Sequence, residues 1–397
     1  MYVTRPLSLY LKDEAALSLP PPEGPNSGYL VVSDEESEIL LRLRTNFRIR
    51  RLPFFQNKDF VVHGCNDFGI RGNSYDFYIR TGSNFDDRNN SKVLFIPILN
   101  QPLSDNRYYV MWRDYWTRGN AATSSKEDDI ISCCGGGCIK DVPPSGLNPF
   151  NLYQQFEITQ KARDHFQAKS MAPDGIAPKF LRDEWKAYID VDTSRQTLHE
   201  ASGLNSSLRS QLPLFNFLSS HDHSEPVVVG KWYCPFMFVR DRGKTTTFYE
   251  MTLEQKWVRI FSKENDNSGE KGVQMEVSIQ TESAKIAGKR DAFRGERDVA
   301  SGFVWFICSD GRRDEVVGLS MAIIERMKWE QERFGWVGGT NNGTEKLTRV
   351  EEFEGSGTWR KFSCYVLVES FVLRRKDESL VITCDFKHTH QVKCKWE

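Results

Sequence analysis

The stretch ITCDFKHTHQVKCKW, residues 382–396, alternates without a break. Ile382, Cys384, Phe386, His388, His390, Val392, Cys394 and Trp396 fall on one face, and Lys387, Thr389, Gln391, Lys393 and Lys395 on the other. A period of two kept over that length predicts a long β-strand with one buried face. Upstream, residues 362–373 form a second strand-like run, joined to the first through the polar turn RRKDES at 374–379. Further runs with strand character lie at 227–239, 248–257, 273–279 and 303–307, while 316–329 fits either a strand or a helix. Long strands with short polar connections predict antiparallel hairpins, so residues 216–397 are expected to form an antiparallel β-domain, a sandwich or a curved sheet.

Residues 1–215 read as a mixed region. Short apolar runs at 60–62, 93–98 and 108–112 are punctuated by Asn, Gly and Asp, as strands joined by turns would be. A polar loop rich in Ser and Gly covers 117–148, and Pro178 at a first helical position predicts a helix opening there. The Pro20-Pro21-Pro22 run predicts an extended strap leading into a strand. The chain as a whole is therefore expected to be α+β.

Composition narrows the function classes. With 397 residues, 39% hydrophobic content and a net charge of −1, the chain can bury a sizeable core, and its overall field does not favour nucleic acid. No leader-like start is recognisable, position 2 is Tyr rather than the Gly needed for myristoylation, and no apolar run is long enough to span a bilayer. Nine cysteines, odd in number and irregularly spaced, do not form a disulfide framework. A reducing cytoplasmic or nuclear setting is expected, in which the sequons at Asn89, Asn205 and Asn342 go unused.

Several phrases occur in order along the chain: Pro20-Pro21-Pro22-Glu23-Gly24-Pro25-Asn26-Ser27-Gly28-Tyr29, Tyr153-Gln154-Gln155-Phe156, Ala168-Lys169-Ser170, Asp174-Gly175, Phe180-Leu181-Arg182, and Val229-Gly230-Lys231-Trp232-Tyr233-Cys234-Pro235-Phe236. Together they resemble the plant family known as domain of unknown function 1262. The resemblance implies a link to stress or defence responses, and it supplies no activity, cofactor or site residue to carry over.

Five constellations are weighed for chemistry. Cys384, His388, His390 and Cys394 mimic a zinc pattern, but the two cysteines are ~33 Å apart along a strand at ~3.3 Å per residue, so one metal cannot join all four. His388 and His390 on one face remain, with Cys364 as a third ligand if the hairpin turn centres on Asp377; two hydrogen-bonded core histidines are the plainer expectation. Cys133, Cys134 and Cys138 around a triglycine are candidates for redox chemistry, against a loop of reduced thiols. Arg42, Arg44, Arg48 and Arg50 would share a strand face able to hold an anion, against a salt-bridged helix face with Glu38. Trp336 and Trp359, near a Gly-rich turn, are candidates for stacking on a glycan, against core packing.

Hydrolase and nucleotide signatures are incomplete. His221-Asp222-His223 near Ser219 lacks a nucleophile elbow, and Gly243-Lys244-Thr245 lacks the first glycine of a phosphate loop. No catalytic residue and no cofactor is expected. The favoured reading is a non-enzymatic protein-interaction or scaffold protein. A ligand-binding β-domain for a glycan or an anion stands second, and a metal or redox protein third.

Overall fold

The computed structural model describes all residues except 43–46, 65–89, 114–118, 134–135, 192–196, 219, 242–245, 267–270, 289, 299–301, 310–313 and 339–342. Arg44, Cys134, Ser219, the Gly243-Lys244-Thr245 segment and the sequons at Asn89 and Asn342 therefore lie outside the described residues. Two compact units are present, one of residues 2–23 and 27–200, the other of residue 1, 24–26 and 201–397.

The N-terminal unit is built on six strands, β1 (Phe60–Gly64), β2 (Asn90–Pro97), β3 (Arg107–Trp112), β4 (Phe156–Ala162), β5 (His165–Ser170) and β6 (Trp185–Ile189). They pair antiparallel in the order β4-β5-β6-β1-β2-β3, and the pairs Phe156↔Tyr108 and Glu157↔Arg107 bring β3 back against β4. These six strands thus close on themselves, while Asn120–Ala121 and Ser145–Gly146 continue the sheet beyond β3. Alternate residues point inward: Phe60 and Val62, Val93 and Phe95, Tyr108 and Val110, Phe156 and Ile158, Phe166 and Ala168, Trp185 and Ala187 form one buried cluster. Phe54 plugs the interior, its ring stacked on Phe95 at 4.2 Å between centroids, with Phe95 stacked on Trp185 at 5.7 Å. The barrel is filled by side chains rather than hollow. Three short helices accompany it, α1 (Leu7–Lys12), α2 (Glu35–Arg42) and α3 (Lys179–Arg182).

The C-terminal unit carries β7 (Val227–Pro235), β8 (Val239–Asp241), β9 (Phe248–Glu264), β10 (Gly272–Gln280), β11 (Glu282–Ile286), β12 (Arg290–Asp298), β13 (Phe303–Ser309), β14 (Asp314–Ser320), β15 (Thr344–Glu352), β16 (Lys361–Arg374) and β17 (Leu380–Trp396), with α4 (Ser206–Gln211) and α5 (Met321–Glu332). Nine of these strands form an antiparallel run in the order β8-β14-β13-β12-β11-β17-β16-β9-β7, and β10 pairs separately with β15. The β16–β17 hairpin turns through Asp377, whose carboxylate accepts from the Ser379 N–H, with Glu378 in the left-handed region at φ 63°. At Ser320 the chain changes period: β14 ends there, and the serine side chain accepts from Ala322 N–H to cap α5.

The expectation of an α+β fold is corrected. Half of the chain is strand against 16% helix, so the protein is β-dominated in both units. The helix expected after Pro178 is real but closes after one turn, because Trp185 must return to the barrel as an inward residue of β6.

Candidate functional site

β17 does not keep one face buried along its whole length. Its register against β16 slips between the pairs Leu367↔His388 and Val366↔Val392, leaving residues 389–391 as a bulge. An odd number of extra residues turns the strand over, so Ile382, Cys384, Phe386 and His388 lie on one face and Val392, Cys394 and Trp396 on the other. An unbroken register about a turn centred on Asp377 sets Cys364 opposite His390, but a shift between Leu373 and Arg374 moves it to Gln391 even in the absence of the bulge. With it, Cys364 stands opposite Cys394. His388 is fully buried, whereas His390, in the bulge, is exposed. The two rings touch edge to face at 5.4 Å, but Cys364 is not with them, and among the described residues no group of three or more His, Cys, Asp or Glu is placed to hold a metal ion. His390 packs over Gly335, which closes α5 at φ +88°, and a Cβ added there would meet its Nε2 at 3.1 Å.

His388 belongs instead to a sealed polar network. Its Nε2 lies 2.9 Å from Gln331 Oε1 and donates to it, and Gln331 Nε2 donates to Glu369 Oε2 at 2.7 Å. Glu369 also accepts from Arg209 Nε at 2.8 Å and Gln255 Nε2 at 2.9 Å. Arg209 continues to the Glu330 carbonyl at 3.0 Å, and Glu330 pairs with Arg326 at 2.7 Å. All six partners are buried, and the two guanidinium charges match the two carboxylates. Burial opposes charge on Glu369, but the His388 ring and the Arg209 guanidinium outweigh it and hold the carboxyl at about 2, below its ordinary 4.5. The network pins α4 and α5 to the sheet, and it is a structural element.

Linkage gives this network a pH signature. A carboxyl whose pKa is depressed by folding contributes stability that is complete above the unfolded value and is lost as pH falls towards the folded one. Chemical denaturation should therefore show stability falling between about pH 4.5 and about pH 2, with Glu369 contributing roughly 3 kcal/mol. In Glu369→Gln that component of the slope should be absent.

The remaining candidates are dispersed. α2 takes up the segment ending at Arg42, so Arg42 lies on a helix and does not share a strand face with Arg48 and Arg50. Arg48 is ion-paired with Asp164, and the Arg50 carbonyl accepts from Gln160. Cys133 pairs in register with Gly136 and Cys138 with Ile131, which makes the two cysteines diagonal neighbours in a hairpin, with Cα atoms about 7–8 Å apart. Trp336 and Trp359 are 6% and 2% exposed, so neither ring offers a face to a sugar. Trp336 donates to the Thr281 carbonyl at 3.2 Å, and Trp359 packs on Trp396 at 5.1 Å. Asp222 pairs with Arg259, and His223 Nδ1 contacts the Ser224 carbonyl at 3.0 Å.

A cleft of about 520 Å³ lies within the N-terminal unit. Trp112 continues the inward row of β3 past the filled interior, so its indole sits half-buried at the end of the core rather than in it. Phe180 meets it from α3, ring centroids 4.7 Å apart and planes at 48°. The position of α3 is fixed at both ends: Asp141 accepts from the Lys179 N–H at 3.1 Å, and Trp185 Nε1 donates to the Leu181 carbonyl at 3.0 Å. Asp141, Asp183, Glu184 and Lys179 bring polar groups to the wall beside this aromatic pair, and Pro143, Pro144 and Pro178 stiffen it. The Trp112 Nε1–H is buried without an acceptor, and the side chains of Asp183 and Glu184 make no hydrogen bond or ion pair among the described residues. Among the described residues no histidine or cysteine lines the cleft.

Fold and cleft together define a β-dominated protein with a filled barrel and an aromatic, acidic cleft. Residues 23–135 match the model of a family described as a protein of unknown function, DUF1262. Of the phrases quoted above, only the Pro-rich one at 20–29 overlaps that stretch. No curated protein matches the sequence. Among solved structures, the chain is similar to one titled "Crystal structure of Cry35Ab1", at 12% identity and a TM-score of 0.46, over 86% of this chain and 90% of that one. Among the described residues no helix is long and apolar enough to cross a membrane.

Proposed function

We propose that this is a non-enzymatic binding protein whose cleft in the N-terminal unit takes an uncharged carbohydrate. The observation that carries the reading is the juxtaposition of the Trp112–Phe180 pair with Asp183 and Glu184, whose carboxylates have no hydrogen-bond or ion-pair partner among the described residues. Sugar rings present apolar C–H faces and a rim of hydroxyl donors. Aromatic rings suit the first, and unpartnered carboxylates suit the second. Among the described lining residues three carboxylates stand against Lys179, a balance that favours a neutral sugar over phosphate or sulfate, and Trp112 supplies the stacking surface in this reading. The family resemblance adds a stress- or defence-linked setting.

A thermal-shift screen tests this, with neutral oligosaccharides in one arm and inorganic phosphate and heparin in the other. Stabilisation by a neutral oligosaccharide alone supports the reading, because a ligand that binds only the folded state raises the transition temperature. No shift with any sugar, or a shift with the anions only, overturns it.

A further inference from the structure

The bulge in β17 has a chemical consequence. By turning the strand over, it brings Cys394 directly opposite Cys364 on β16, and the two sulfurs lie 3.4 Å apart. We infer that Cys364 and Cys394 form a reversible dithiol–disulfide site that joins the neighbouring strands β16 and β17 of the C-terminal unit.

Directly opposed residues of antiparallel strands have Cα atoms about 4.5–5.5 Å apart, inside the ~4.4–6.8 Å range that disulfides span. Closing the bond at ~2.0 Å requires the sulfurs to approach by about 1.4 Å, which side-chain rotation can supply without moving the strands. The diagonal Cys133 and Cys138 lie outside that range. The two thiols of the opposed pair are also unequal. Cys364 is fully buried against Phe362, Trp359 and Val273, while Cys394 is partly exposed. The shared hydrogen between the sulfurs, together with burial, raises the Cys364 thiol, and the same hydrogen bond lowers Cys394. Arg349 and Glu351 on β15 are the charged groups facing the pair, and their effects on Cys394 oppose each other. Cys394 is therefore the sulfur that reacts first, and Cys364 the one that resolves.

With a small-molecule disulfide such as oxidised glutathione as oxidant, the Cys394 thiolate attacks one sulfur, forms a mixed disulfide and expels one thiolate. Cys364 then gives up its proton, attacks the Cys394 sulfur and expels the second thiolate. The protein dithiol loses two electrons and two protons, and the external disulfide becomes two thiols.

Full-length protein incubated with excess oxidised glutathione, blocked with an alkylating agent and digested should yield a Cys364–Cys394 linked peptide that disappears on return to reduced glutathione. Its thermal transition should rise by about 5–10 °C on oxidation. Cys364→Ser should trap Cys394 as a stable glutathione adduct, and Cys394→Ser should give neither adduct nor link. Recovery of both cysteines as alkylated thiols from the wild type, or a link confined to other cysteines, overturns the assignment, and the wild-type result stands even if a variant fails to fold.

Discussion

Replacing Glu369 with Ala should destabilise the protein by about 3–5 kcal/mol, measured by chemical denaturation at neutral pH. The side chain is fully buried and is the acceptor on which Arg209, Gln255 and Gln331 converge. Its removal leaves the Arg209 guanidinium, 3% exposed, with only Glu330 to oppose it. A desolvated charge that loses its partner is penalised far more than the intact pair is rewarded, so the loss comes mostly from what is left behind. The double variant Glu369→Leu with Arg209→Met should accordingly be less destabilised than Glu369→Ala. If the two are equally unstable, the charges are not what matters and the network acts through packing alone.

Trp112→Ala should weaken carbohydrate binding at least ~30-fold, or about 2 kcal/mol, in a protein that still folds. The ring is half-buried beyond the closed barrel interior, where Phe54, Phe95 and Trp185 already fill the space. Truncation removes the stacking surface and the Nε1–H donor together, and exposes Phe180 on one side. Isothermal titration of the oligosaccharide found by the screen into wild type and variant reads the difference. Phe180→Ala, which keeps the indole in place, should give a smaller loss.

The strands were legible where one face is buried and the other wet. The even residues from Ile382 to His388 are buried as the alternation requires, and the turn around Asp377 follows from its polar residues. Nothing in the stretch 389–391 announces a bulge, because Thr, His and Gln continue the alternation without a Gly or Pro to mark the slip. A shift between Leu373 and Arg374 already parts Cys364 from His390, and the unmarked slip at 389–391 then gives it Cys394. In the N-terminal unit the inward residues of β1 to β6 are readable as alternating pairs, but barrel closure rests on the non-local pairing of Tyr108 with Phe156, which local patterning does not carry.

The cleft was half-legible. Trp112 ends an alternating run and Phe180 follows a helix-opening proline, yet their meeting depends on Asp141, nearly forty residues from α3, holding that turn in place. Trp336 and Trp359 looked available because a Gly-rich turn runs beside them, but their rings are what the core of the C-terminal unit packs upon. The polar network was not legible at all: Arg209, Glu330, Gln331 and Glu369 are scattered over three elements and read individually as surface residues.

The indole N–H resonances report the binding site most directly. In protein labelled with ¹⁵N at tryptophan, the Trp112 Nε1–H signal, identified by its loss in Trp112→Phe, should shift progressively as the oligosaccharide is added, because a sugar stacked on the half-buried indole changes the surroundings of its N–H. The signals of Trp336 and Trp359 should stay in place. Saturable sugar binding that leaves the Trp112 resonance unmoved would contradict the assignment of the cleft as the carbohydrate site.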